Sequence, residues 1–136
     1  MNHAAVCKAT SADKKTIEID GLIHFTSKEN LEKILNEGLK GSVSNMSFLE
    51  KKIGEQVWTY QYKNDDYIEI KHKSLLNTKK GKNDSKNYNV CIKLTGFCKE
   101  DLDKLYIRKS IFCDRAIVYR GKELKVDKIE VLKYWD

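Results

Sequence analysis

Between Lys15 and Thr26 the chain reads KTIEIDGLIHFT, an alternation of apolar and polar residues that tightens into Leu22-Ile23-His24-Phe25. A period of two is the mark of a half-buried strand, so one or two short strands are expected here, with Asp20-Gly21 as a turn between them. The period then changes. Leu31, Ile34 and Leu35 recur at helical spacing, and Thr26-Ser27-Lys28-Glu29 reads as a capping box, with Thr26 oxygen and Glu29 carboxylate serving orphan backbone donors. Gly38 is placed to end that helix in the left-handed region, so a helix over about Ser27–Glu37 is expected, with Leu39 folding back on its apolar face.

Further along, Phe48, Leu49 and Ile53 suggest a second, shorter helix before Gly54. QVWTYQY (56–62) and DYIEIKH (66–72) have the aromatic and β-branched alternation of strands, separated by turn residues KNDD. YNVCIKL reads as a strand, KEDLDKLY as a short helix, and RAIVYRG and KIEVLKYW as two more strands. Strands outnumber helices without regular βαβ alternation. The expectation is one α+β domain with a split or strongly bent, mainly antiparallel sheet and two or three short helices. Residues 1–14 read as a flexible lead-in and 15–136 as the single folded unit.

Composition narrows the class. The 136 residues are 40% apolar and 34% charged, which suits an ordinary globular domain. No apolar run reaches the roughly 20 residues of a membrane span. MNHAAVCKATSADKK lacks the apolar core of a classical signal peptide, although a domain cut from a larger secreted chain would read the same way. Four cysteines and three histidines occur without a close-spaced pair, so no metal is predicted, and reduced thiols in a cytoplasmic working environment are expected. The net charge is +6, and Lys71–Lys86 holds six lysines against one aspartate. With no aromatic residue interleaved to stack bases, this run reads as a solvated loop.

His24 is the residue without a structural explanation. It stands where a strand runs into a helix N-terminus, whose backbone N–H groups and positive potential suit an anionic ligand. LIHFTSKENLEKILNEGL resembles the opening of ADP-ribosyltransferase-type domains, in particular DarT-like and polymorphic-toxin members, where an H-[FY]-T-S-like strand end precedes a helix closing in I-L-x-x-G-L. The tRNA 2′-phosphotransferases share a related motif. The likeness covers about 20 residues of the chain, from 21 to 41.

The resemblance implies that His24 holds the adenosine ribose of NAD, with Thr26 and Ser27 assisting at the helix start. It implies an aromatic clamp on the nicotinamide, for which Tyr60 is chosen as the centre of the Trp58-Tyr60-Tyr62 face. A late glutamate is also implied. CDRAIVYRG has none in register; Asp114 stands at the strand's start as its substitute and Glu123 lies just beyond. The family's early arginine is missing, since the only arginines are Arg108, Arg115 and Arg120. A toxin of this kind would act in the cytoplasm on a macromolecular target, protein or nucleic acid, and would travel with an acidic immunity protein.

Two other readings use fewer borrowed facts. His24 and His72 form an acid/base pair in a small basic ribonuclease, or the lysine run makes the domain a non-enzymatic binding module.

Overall fold

The computed structural model describes residues 5–43, 54–78, 85–109 and 116–135. Among the described residues ten strands and four helices alternate irregularly, as the α+β expectation required. The strands are β1 (Ala5–Lys8), β2 (Leu22–Thr26), β3 (Leu39–Lys40), β4 (Ser42–Val43), β5 (Glu55–Gln61), β6 (Val90–Phe97), β7 (Leu105–Lys109), β8 (Ala116–Arg120), β9 (Glu123–Leu124) and β10 (Val126–Tyr134). The helices are α1 (Ser11–Asp20), α2 (Lys28–Glu37), α3 (Asp65–Leu76) and α4 (Lys99–Leu102), with a 3₁₀ turn at Ser85–Tyr88.

One antiparallel sheet runs in the order β1-β7-β8-β5-β2-β6-β10, with β4 paired to the end of β5, and β3 and β9 form a second small ribbon. The large sheet is split. β2 pairs with β6 along its whole length, Leu22 to Thr26, and β5 pairs with β8 from Gln56 to Tyr60. Between the two halves the ladder holds only at Leu22↔Gln61 and Ile23↔Tyr60. Past Ile23 the central strands diverge.

Each face carries its own core. Leu22, Ile92, Leu94 and Ile117 point to one side, where Ile17 of α1 and Leu31 and Ile34 of α2 cover them. Ile23, Phe25, Cys91 and Val118 point to the other, against Tyr67 and Ile68 of α3. This is strand alternation at work: neighbours in sequence enter opposite cores. Thr59 is fully buried between β5 and β8, and its hydroxyl donates to the Ile117 carbonyl at 2.6 Å.

Several expectations need correction. Residues 5–14, read as flexible, form β1, which pairs with β7, and the first turn of α1. KTIEID belongs to that helix rather than to a strand, and Gly21, at φ +78°, makes the turn into β2. DYIEIKH is helical. Asn64 caps α3 by accepting from the Tyr67 amide at 2.8 Å, Asp65 and Asp66 sit at its positive end, and the buried residues 67, 68, 71 and 72 follow helical spacing. The supposed turn residues were a cap.

The expected helix at Phe48–Ile53 lies outside the described residues. Among the described residues, no helix is long and apolar enough to cross a membrane.

The ribbon of β3 and β9 is tied to the sheet through Tyr119. Its side chain is fully buried, with the hydroxyl 2.9 Å from the Glu123 carbonyl and 3.2 Å from the Asp101 carboxylate. Burial, reinforced by the Asp101 charge, pushes this phenol up to about 12. Tyr119→Phe should therefore cost about 1–2 kcal/mol, since the one hydroxyl proton shared between two part-buried acceptors is lost. A urea titration with unchanged midpoint would show that the tie is not structural.

Candidate functional site

The divergence of β2 from β5 creates the setting for His24. Beyond the last β2–β5 ladder pair, Ile23↔Tyr60, His24 Nδ1 donates to the Trp58 carbonyl at 2.7 Å. A side-chain hydrogen bond thus joins the two strands at the mouth of the split. The bond fixes the tautomer of the neutral ring: Nδ1 carries the proton and Nε2 is left as an acceptor. Burial lowers the His24 pKa and outweighs the Trp58 carbonyl, which raises it. A neutral imidazole with one committed and one accepting nitrogen suits a ligand hydroxyl.

The start of α2 follows directly. Thr26 still pairs with Val90 and is buried, so it is the last strand residue and not the cap. Ser27 is the cap, extended at φ −88° and ψ 162°, with its Oγ accepting from the Asn30 amide at 3.1 Å. The capping reading was one residue early because the chain stays extended for one more ladder pair. At the other end, Gly38 has φ 90° and ψ 172°, which is positive φ but not the left-handed helical cap that was expected. Leu39 is buried behind it, as expected.

Tyr60 is on the other side of the sheet. His24 is registered opposite Ile92 in the α1/α2 core, whereas Tyr60 packs in the α3 core. Its ring meets Phe25 edge-on at 6.2 Å and carries the Lys71 ammonium 4.2 Å above its centroid. The structure does not bring His24 and Tyr60 onto one face, and Tyr60 is covered rather than open to a ligand. Trp58 and Tyr62, on the same face, are half-buried.

Asp114 lies outside the described residues, two positions before Ala116, which pairs with Tyr60. Glu123 is placed, and it is occupied elsewhere. It pairs with Lys40 at 3.8 Å and its carboxylate sits over Gly38 at the C-terminal end of α2. A helix of this length puts about 15 Å between that end and Ser27.

His24 and His72 also fall on opposite faces. His72, on α3, stacks on Trp135 and lies beside Phe25, so no acid/base pair is assembled with His24. Lys71, the first residue of the basic run, is buried with its head over Tyr60 and contributes nothing to a solvated loop. Among the described residues there is no cluster of three or more histidine, cysteine or acidic side chains placed to hold a metal ion.

The two histidines set a pH dependence. Burial is the first cause of the lowered pKa of each, opposed by the Trp58 carbonyl for His24 and by Glu69 and the Tyr88 backbone for His72. Both rings are neutral in the fold, and the unfolded chain protonates them near 6.5. The stability they protect is complete above that pH and is lost as pH falls toward the depressed folded values. Glu69 has the opposite history, its lowered pKa adding stability that persists until the pH drops below 4.5. The urea midpoint is expected to be flat above about pH 7 and to fall between 6.5 and 4.5. A midpoint constant across that window would refute the assignment.

Comparison with family models, with curated proteins and with solved structures returned no match to this chain.

Proposed function

We propose that the domain is an ADP-ribosyltransferase-like toxin or effector module that cleaves NAD at the split between β2 and β5 and transfers ADP-ribose to a macromolecular target. The observation that carries this reading is the fixed imidazole of His24 at the mouth of the split. It is immediately followed by the positive end of α2, which is the electrostatic setting a pyrophosphate prefers. The HFTS resemblance supplies the identity of the ligand.

In this reading the Nε2 atom of His24 accepts from a ribose hydroxyl, and Ser27 and Thr26 shape the approach to the helix end. The bond between ribose C1′ and the nicotinamide nitrogen breaks, with the electron pair leaving on nicotinamide and neutralising its pyridinium charge. The ribosyl cation is captured by the target's nucleophile, which gives up a proton. Asp114 is the proposed carboxylate that orients the ribose, since Glu123 is held at the far end of α2. Tyr60 supports Phe25 from the other core rather than stacking on the ligand. The domain acts in the cytoplasm in this reading, and an acidic immunity protein that complements the +6 charge is the proposed partner.

The test is nicotinamide release and target mass, measured on incubating the domain with NAD and a cell lysate. Release accompanied by a mass gain on protein or nucleic acid supports the reading. NAD that stays intact beside a folded domain, across protein and nucleic-acid targets, removes it.

A further inference from the structure

The most heavily engineered contact outside the split is on the α3 face. The rings of His72 and Trp135 lie parallel, 3.7 Å apart at 4° between planes. Phe25, the residue after His24, is 6.0 Å from Trp135 and 6.4 Å from His72. His72 is only 6% exposed, yet its Nε2 has no hydrogen-bond partner. The Tyr88 backbone takes the ring's other hydrogen bond. Trp135 itself is held by its backbone N–H, which donates to the Asn89 carbonyl at 2.8 Å, and by a longer 3.3 Å bond from its indole to Glu69.

We propose that the His72–Trp135 stack is a proton-released latch, which closes the segment after β10 over Phe25 at neutral pH and opens when His72 Nε2 takes a proton.

Unmet hydrogen bonding at Nε2 is what opens the stack. Neutral His72 leaves an Nε2 lone pair without a donor, lying in the ring plane at the edge of the stack rather than against the Trp135 face, and an under-satisfied acceptor costs less than an unpaired charged donor. Protonated His72 has a charged N–H at that atom with no acceptor, and burying such a group is expensive. The charged groups that face the ring are Glu69 on its own helix and Lys133 on β10; Tyr88 of the 3₁₀ turn offers its backbone, and Cys91 of β6 lies in the same core. Lys133 is ion-paired to Glu69, so the carboxylate that would favour the imidazolium is already shared. Lys71 directs its ammonium to Tyr60. Among the described residues no acceptor meets the new N–H; the Trp135 face attracts the cation but leaves that in-plane donor unmet, and the ring escapes by losing Trp135. Release uncovers Phe25 from the side opposite His24.

Reciprocity makes this testable without any ligand. If protonation opens the latch, removing the latch must ease protonation by the same factor. The His72 imidazole resonance is followed by NMR from pH 8 to 5 in the parent and in Trp135→Leu. Trp135 emission is followed over the same range in Trp58→Phe, alone and combined with His72→Phe.

The expected result is a His72 pKa that rises in Trp135→Leu, each unit of rise being a tenfold shift of the latch equilibrium. Trp135 emission should change below pH 6.5 while far-UV dichroism holds, and His72→Phe should abolish the change. An unaltered His72 pKa in Trp135→Leu overturns the latch even if His72→Phe fails to fold. Emission that is flat with pH, that changes equally in His72→Phe, or that changes only with loss of secondary structure overturns it as well. None of these outcomes depends on NAD, so the latch and the proposed activity fail separately.

Discussion

His24→Gln is expected to lower nicotinamide release by about 100-fold or more while leaving the fold intact. The ring makes one directed contact, Nδ1 to the Trp58 carbonyl, and in the proposed reading it offers Nε2 to the ligand. A glutamine amide can reproduce the first only by turning its remaining groups away from the second. What is lost is the placement of the ribose relative to the breaking bond, and small misplacements of reacting atoms carry penalties of that order. Stability should change less, because Gln can still donate to Trp58, and the pH-dependent loss below 6.5 should shrink with one titrating ring removed. Steady-state nicotinamide release beside a urea titration checks both. A variant that keeps more than half the parental turnover would take His24 out of the site.

Gly21→Ala is expected to destabilise the domain by about 2–3 kcal/mol, a large part of a domain's stability. Gly21 has φ +78°, a conformation that penalises any Cβ, and a Cβ built there stands 2.8 Å from the Leu94 carbonyl oxygen and 2.9 Å from Thr95 Cγ2. The obstructing atom is sheet backbone and cannot rotate away. Its own N–H closes α1 on the Ile17 carbonyl at 2.8 Å, and its carbonyl accepts from Gln61 Nε2 at 3.1 Å across the split. Relief would therefore shift the start of β2 against β6 and carry His24 with it, so turnover should fall together with the urea midpoint. An Ala variant with parental midpoint would mean that the α1–β2 turn accommodates a side chain, contrary to this account.

What could be read from the chain depended on whether a local pattern had a single structural meaning. The helix after HFTS was legible because Leu31 and Ile34 mark an apolar stripe and the TSKE run marks a helix start, although the cap is Ser27 and not Thr26. Leu22 to Phe25 and Val57 to Gln61 were legible as strands from their β-branched and aromatic content, and the α+β class followed from the order of the elements. DYIEIKH was misread because Ile68 and Ile70 alternate with charged neighbours, while the residues that are buried, 67, 68, 71 and 72, recur at helical spacing, and the Asn64 cap that decides the matter resembles a turn. α1 was missed for the same reason.

The candidate site was half legible. His24 stood out as a titratable residue before a helix end, but its anchor is the Trp58 backbone carbonyl on another strand, beyond the last β2–β5 ladder pair, a divergence that sequence periodicity cannot express. Tyr60 was chosen from alternation alone, which groups it with Trp58 and Tyr62 but does not say that His24 faces the opposite core. The His72–Trp135 stack joins residues 63 positions apart, and nothing local announces it.

The measurement that bears most directly on the central claim is an NMR titration of the histidine ring protons with NAD, with His24 assigned from His24→Gln. The account predicts that the His24 signal moves saturably as NAD is added at neutral pH, and that the His72 signal, on the far face, moves much less. A His24 resonance that stays in place at millimolar NAD, in a domain that remains folded, would contradict it.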